Sequence, residues 1–163
     1  MKKNKYLIEI EEFDSINELS AEDQHLLNQA IAASENAYAP YSNYHVGAAL
    51  RLDDGKIILG NNQENVAYPS GLCAERVAFF HANSNYPGKA IEAVAITAKS
   101  KAFVIQKPVT PCGSCRQVMA ETENIQKRKI RVLMMGEKGS VFVSESVESL
   151  LPLMFQAEEL KIK

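Results

Sequence analysis

Three cysteines in two clusters constrain the fold of this 163-residue chain more than any other feature of its sequence. An odd number of cysteines excludes a fully paired disulfide framework. Cys112 and Cys115 are three residues apart, and such positions at the start of a helix share one face. Both thiolates can then bind one ion at about 2.3 Å. This pair alone also suits a redox site, but a redox pair does not need a third cysteine elsewhere.

The third cysteine, Cys73, begins an earlier predicted helix and completes three ligands of a tetrahedral zinc site. A structural zinc site normally closes the fourth position with another protein ligand. His81 lies eight residues beyond Cys73, so on one helix it is about 12 Å further along the axis. The positions of His25 and His45 in the sequence give no reason to expect either of them as the fourth ligand. The fourth position is therefore expected to hold water, which bound zinc acidifies towards a pKa of about 7.

Glu75, two residues after Cys73, is the predicted proton carrier. An isolated glutamate in the first turn of a helix is more often present because the helix dipole favours it. Here a Pro-Cys-x-x-Cys motif follows downstream, beginning at Pro111. The combination resembles the motif of zinc deaminases, in which a non-ligand glutamate is the general acid and base.

The hydrophobic pattern predicts a chain in which helices alternate with strands. Ser20 caps a predicted helix that runs to Tyr38 and ends at Pro40, and residues 46–52 and 56–60 form a hairpin. Further expected elements are an edge strand over 5–11, helices over 73–83 and 113–124, strands over 91–98, 130–135 and 140–144, and a last helical stretch interrupted at Pro152. This order predicts an α/β fold with a mixed sheet in which the two middle helices are crossovers. Both cysteine clusters then lie at the edge of the sheet where ligands collect.

The bulk composition excludes several classes of protein. The net charge of −2 and pI of about 6.0 argue against a general nucleic-acid binder. The densest basic cluster, residues 127–131, is interpreted as a solvated helix end. No apolar stretch approaches the roughly 18 residues that span a bilayer, so no membrane partner is expected. With no targeting segment recognised, the expected location is the cytoplasm.

Four stretches resemble the compact, homotetrameric class of cytidine deaminase. They are YAPYSNYHVGAAL at 38–50, NQENVAYPSGLCAER at 62–76, PCGSCRQ at 111–117 and LLPLMF at 150–155. The resemblance implies an α/β three-layer sandwich, with a mixed β-sheet and helices on both faces. It also implies a single deaminase domain over residues 1–163, in which residues 1–20 are an extension of unknown role.

The resemblance assigns roles to individual residues. It makes Cys73, Cys112 and Cys115 the ligands of one Zn²⁺ per chain and Glu75 the catalytic acid and base. It implies that Asn62 and Glu64 contact the ribose hydroxyls, and alternation along an extended strand agrees, since it directs both side chains to one face. The remaining roles that the resemblance implies are substrate contacts by Tyr44, Tyr68 and Phe155 and partial neutralisation of the thiolates by Arg76 and Arg116. Tyr44 stands where the family usually has Phe, and Phe155 is expected to reach the cavity of a neighbouring subunit.

The implied reaction is hydrolytic deamination of cytidine and deoxycytidine to uridine and deoxyuridine in pyrimidine salvage, with ammonia released and water activated on zinc. The implied partners are the nucleoside and further copies of the chain in a homotetramer. Three alternatives remain open. A deaminase of another small cytosine compound should lack the Asn62 and Glu64 pair, a nucleic-acid-editing deaminase is disfavoured by the acidic pI, and an interaction module with a structural zinc would release no ammonia from cytidine.

Overall fold

Six strands form one mixed sheet at the centre of the molecule. The computed structural model describes residues 1–156. The strands are β1 (Glu11–Phe13), β2 (Tyr44–Leu52), β3 (Ile57–Asn61), β4 (Ile91–Ser100), β5 (Arg131–Met135) and β6 (Val141–Ser144), and they lie in the order β1-β6-β5-β4-β2-β3. Only the β4–β5 pair is parallel among these neighbours. The helices are α1 (Ala21–Ser34), α2 (Ala74–Asn85) and α3 (Gly113–Gln126).

Helix α1 covers one face of the sheet. The Ser20 hydroxyl accepts a hydrogen bond from the Asp23 N–H at 3.2 Å, which confirms the predicted cap. The apolar side of α1, with Leu26 and Leu27, packs on inward residues of the central strands such as Ala95. Residues 48, 50, 94, 96, 132 and 134 point to the opposite face because side chains alternate along a strand.

Helices α2 and α3 cover that opposite face, where Phe79 and Met119 are fully buried. The structure therefore has the predicted three layers. Helix α3 joins the parallel neighbours β4 and β5, as expected of a crossover. Helix α2 is also a crossover, since it joins the co-directional strands β3 and β4, but β2 lies between these two strands. Both helices begin at the edge of the sheet where β3 and β4 end.

Gly60 permits α2 to approach β3 closely. A Cβ atom at this position would lie 2.6 Å from the backbone nitrogen of Ala78. Such a distance requires the helix to move away from the strand. The missing side chain of Gly60 thus contributes to the position of α2, whose first turn carries Glu75.

Two predicted boundaries were wrong. Helix α1 ends at Ser34 and not at Tyr38. The Tyr38 N–H donates to the Asn62 carbonyl at 3.0 Å instead of to a carbonyl of the helix, so the backbone is no longer helical there. The edge strand forms at Glu11–Phe13 and not over 5–11. Its partner β6 ends at Ser144, so in this register residues before 10 have no strand opposite them.

The end of the chain also departs from the prediction. The segment after β6 forms a short 3₁₀ helix, Val147–Leu150, and residues 151–156 are not helical. The remainder of the predicted last helical stretch lies outside the described residues. Within residues 1–156, no helix is both long and apolar enough to cross a membrane.

Candidate functional site

The three cysteine thiols meet where α2 and α3 begin. Cys73 is the N-cap residue of α2, Cys112 is the N-cap residue of α3, and Cys115 lies in the first turn of α3. The Sγ atoms are 3.9 Å apart for Cys73 and Cys112 and 3.5 Å apart for Cys112 and Cys115, and all three lie within 4.8 Å of one another. Tetrahedral ligands at about 2.3 Å from zinc are separated by about 3.8 Å. The donor set therefore fits one zinc ion.

The surroundings of the thiols favour a negative charge on Cys73. A hydrogen bond from the Cys115 thiol, with help from the Arg76 guanidinium, lowers the pKa of Cys73 to about 5. Arg76 Nη2 donates to Cys73 Sγ at 3.9 Å, so its positive charge lies beside this candidate ligand. The same shared proton, together with burial, raises the pKa of Cys115. Metal binding at these thiols must displace protons.

Glu75 is buried beside the thiols, with 4% of its surface exposed. Burial raises the pKa of Glu75, and the negative charge of Cys73 acts in the same direction. A carboxyl group whose pKa is raised towards neutrality is suited to accept a proton and return it. The position of Glu75 thus places a buried carboxyl group with a raised pKa next to the candidate metal ligands.

A cavity of about 600 Å³ is lined in part by Cys73, Cys112 and Glu75. This volume suits a small-molecule ligand, since ligand cavities commonly measure about 300–1,000 Å³. The cavity brings together most of the residues that the sequence selected: Tyr44, Asn62, Glu64, Tyr68, Cys73, Glu75 and Cys112 all line it. The loop before α3 contributes Val109 and Thr110, which the sequence analysis did not select.

The side chain of Asn62 is fixed to the backbone of β2. Its Oδ1 accepts from the Val46 N–H at 2.8 Å, and its Nδ2 donates to the Tyr44 carbonyl at 2.9 Å. An amide nitrogen carries two hydrogens, so Asn62 retains one donor. The side chain is therefore oriented before any ligand is bound.

The carboxylate of Glu64 is held by the loop before β2. Its Oε2 accepts from the backbone N–H of Tyr41 at 2.9 Å and of Ser42 at 3.3 Å, and its Oε1 accepts from the Ser42 hydroxyl. Although burial opposes the charged form, these hydrogen bonds hold the pKa of Glu64 below its usual range. Glu64 is thus an ionised acceptor at neutral pH. Sequence reasoning missed Ser42 because nothing in its spacing signals a contact with a residue 22 positions away.

Two aromatic rings frame the cavity. Tyr44 is half-buried, and burial raises the pKa of its hydroxyl. Tyr68 is largely exposed and contacts Tyr41 edge to face, with ring centroids 6.0 Å apart. Sequence reasoning also missed Tyr41, although it lies within one of the stretches that carry the family resemblance.

Arg116 and Phe155 lie outside the cavity lining. The guanidinium of Arg116 donates to the carbonyls of Pro111 at 2.8 Å and Leu150 at 2.9 Å and to the Thr110 hydroxyl at 3.3 Å. Among the described residues, none of its hydrogen bonds reaches sulfur, so no contact supports its expected effect on the thiolates. The Phe155 side chain is 73% exposed.

Known proteins resemble this chain over most of its length. Residues 20–132 match the family model for the cytidine and deoxycytidylate deaminase zinc-binding region. A cytidine deaminase of Halalkalibacterium halodurans is 42% identical over 137 residues, which cover 84% of this chain and 96% of that protein. One from Sporosarcina psychrophila is also 42% identical, over 83% of this chain and 92% of the relative.

Solved structures agree with these matches. The crystal structure of cytidine deaminase from Burkholderia pseudomallei superposes with a TM-score of 0.68 at 42% identity, over 80% of this chain and 97% of the other. That of the Mycobacterium tuberculosis enzyme gives a TM-score of 0.63 at 30% identity, over 82% and 96% of the two chains. Sequence, fold and the metal-competent cysteine cluster lead to one conclusion. The chain belongs to the cytidine and deoxycytidylate deaminase zinc-binding family.

Proposed function

We propose that the protein hydrolyses cytidine and deoxycytidine to uridine and deoxyuridine and releases ammonia, a reaction of pyrimidine salvage. The observation that carries this proposal is the placement of buried Glu75 beside the three thiols, in the lining of a cavity that also contains Asn62 and Glu64. One part of the cavity can do proton chemistry at a base, and another can bind a sugar.

The zinc ligands in this proposal are Cys73, Cys112 and Cys115, with one ion per chain. Bound zinc supplies Lewis acidity, which makes water a better nucleophile at neutral pH. The partial positive charge of the two helix N-termini and the Arg76 guanidinium offset the negative charge of the three thiolates.

Glu75 carries the protons of the reaction. Its carboxylate accepts a proton from the water that attacks C4 of the pyrimidine. It delivers this proton to N3, accepts the second proton from the hydroxyl group now on C4, and passes it to the departing amine, so that the C4–N bond breaks and ammonia leaves. Burial holds this carboxyl away from bulk water and raises its pKa, which favours both the uptake and the return of a proton.

The sugar and the base are recognised by separate side chains. Glu64, ionised at neutral pH, accepts hydrogen bonds from ribose hydroxyls, and the remaining N–H of Asn62 donates to them. The ring of Tyr44 packs on the pyrimidine, and Tyr68 borders the same space.

The active enzyme is proposed to be a homotetramer in which Phe155 of one copy enters the cavity of another. Large exposed apolar side chains near the cavity, including Tyr41, Val66 and Tyr68, support association because water is excluded when they are covered.

Residues 1–163 form one deaminase domain with an N-terminal extension over 1–20. The three free thiols suit a reducing compartment, so the cytoplasm is the proposed location.

The test is ammonia release from cytidine, deoxycytidine and free cytosine by the zinc-loaded protein, with equal concentrations of each substrate. The proposal requires turnover of both nucleosides and much weaker use of cytosine, which lacks the sugar. Equal use of cytosine and cytidine would indicate a deaminase of another small cytosine compound. Stoichiometric zinc without ammonia release would indicate an interaction module and contradict the proposal.

A further inference from the structure

Three polar side chains of α3 hold the carboxyl-terminal segment, defined here as residues 146–155, against that helix. Buried Glu123 accepts hydrogen bonds from the Ser146 hydroxyl at 2.7 Å and the Val147 N–H at 3.0 Å. Arg116 donates to the Leu150 carbonyl at 2.9 Å. The segment is thus attached near its start and in its middle.

Gln117 makes the last attachment, and it does so at two points. Its Oε1 accepts from the Phe155 N–H at 3.0 Å, and its Nε2 donates to the Phe155 carbonyl at 2.9 Å. One amide side chain thereby satisfies both backbone polar groups of a single residue. Two simultaneous hydrogen bonds fix the orientation of the Phe155 backbone as well as its distance from Gln117.

The side chain of Phe155 gains little from this attachment within its own subunit. Phe155 is 73% exposed, while the neighbouring Met154 packs against the core. An exposed phenylalanine ring contributes no hydrophobic stabilisation until another apolar environment covers it. Gln117 lies two residues after Cys115, so the held backbone is also tied to the helix that carries two of the candidate zinc ligands.

We propose that Gln117 is a positioning residue for nucleoside binding, which it serves by orienting the Phe155 backbone so that the exposed ring enters the cavity of a neighbouring copy. This inference rests on the proposed deaminase function and its shared sites. It assigns Gln117 no contact with substrate or metal. Gln117 instead acts in trans, on the cavity of the subunit that receives Phe155.

The chain offers a matched control on the same helix. Gln126 makes the same two-point contact with another residue, since its Oε1 accepts from the Ile91 N–H at 3.0 Å and its Nε2 donates to the Ile91 carbonyl at 2.8 Å. Ile91 begins β4 and lies outside the carboxyl-terminal segment. Loss of the Gln126 amide should therefore lower stability as loss of the Gln117 amide does, but without affecting Phe155.

The experiment measures kcat and KM for cytidine, zinc content and melting temperature in zinc-loaded Gln117→Ala, Phe155→Ala, the double variant and Gln126→Ala. We expect Gln117→Ala and Phe155→Ala each to lower kcat/KM about 2- to 12-fold, mainly through KM, which is the scale of one aromatic contact. Zinc content should stay at the wild-type level. The double variant should lose no more than Phe155→Ala alone, because both changes remove the same contact. Gln126→Ala should keep wild-type kinetics whatever its melting temperature.

Gln117→Glu provides a second variant should Gln117→Ala fold poorly. It keeps the acceptor for the Phe155 N–H but loses the donor to the carbonyl, so it should also raise KM. The inference would be overturned if both Gln117 variants kept wild-type kinetics while Phe155→Ala was impaired. It would also be overturned if the losses of the two single variants multiplied in the double variant. Neither result would contradict the shared site itself. Wild-type kinetics in Phe155→Ala, or no deamination by the wild-type protein, would instead defeat the proposed function and this inference with it.

Discussion

The Ser42 hydroxyl donates a hydrogen bond to Oε1 of Glu64, and the Ser42 N–H donates to Oε2 of the same carboxylate. A residue of the loop before β2 thus orients an acidic group in the segment that follows β3. The contact explains why the pKa of Glu64 lies below its usual range although burial opposes ionisation. It also fixes the face that this carboxylate presents to the cavity.

Glu64→Ala should lower kcat/KM for cytidine by about 10-fold or more, because a charged acceptor for a sugar hydroxyl contributes roughly 1.5–3 kcal/mol. Zinc content should not change, since Glu64 is not among the candidate ligands. Steady-state kinetics with cytidine and with free cytosine provide the check. The variant should deaminate cytosine with the same kcat/KM as the wild type. An equal loss of kcat/KM for both compounds would show that Glu64 does not recognise the sugar.

Cys112→Ala should abolish stoichiometric zinc binding and lower the melting temperature, since a bound ion joins the starts of α2 and α3. Ser114→Ala is the control, because Ser114 is an exposed neighbour on the same turn. Metal analysis and thermal unfolding of both variants test the assignment. A Cys112→Ala protein that retains one zinc per chain would refute it.

Co-expression of Phe155→Ala with an excess of Glu75→Gln tests whether sites are shared between subunits. Each Phe155→Ala subunit keeps Glu75 and receives an intact Phe155 from its inactive partners, so activity per Phe155→Ala subunit should rise to near the wild-type value. Activity that stays at the level of Phe155→Ala alone would mean that Phe155 acts within its own chain. Truncation after Leu150 is a less specific test, because Leu151 and Met154 pack on the core and are lost with it.

Deletion of residues 1–10 should leave zinc content, kinetics and melting temperature unchanged, because these residues are exposed and form no regular structure. Deletion of residues 1–18 should lower the melting temperature, since Phe13 and Ile16 pack on the core beneath α1 and β1 pairs with β6. Thermal unfolding of the two truncated proteins makes the comparison. Equal melting temperatures would mean that β1 does not stabilise the sheet.

Local sequence rules predicted the features of this protein that depend on neighbouring residues. The Ser20 cap, the hairpin around Gly55 and the cysteines at two helix starts all follow from spacing and residue type over a few positions. The alternation of helices and strands was enough to predict a mixed sheet. These predictions were confirmed because tertiary contacts reinforce the local preference at each place.

Features set by distant contacts could not be read from the sequence. Helix α1 stops at Ser34 because Tyr38 pairs with the segment after β3, and the length of β1 is limited by the end of β6. The hydrogen bonds of Ser42 with Glu64 and of Gln117 with Phe155 join positions more than 20 residues apart. Spacing within one element carries no information about such partners.

The most direct test of the proposed chemistry is ammonia release from cytidine by Glu75→Gln and wild-type protein at equal zinc content. The substitution keeps the shape of the side chain and removes the proton acceptor, so turnover should fall at least about 100-fold while zinc and the fold are retained. Circular dichroism and metal analysis establish that the two proteins are otherwise alike. Deamination by zinc-loaded Glu75→Gln at a rate close to that of the wild type would contradict the assignment of Glu75 as the proton carrier.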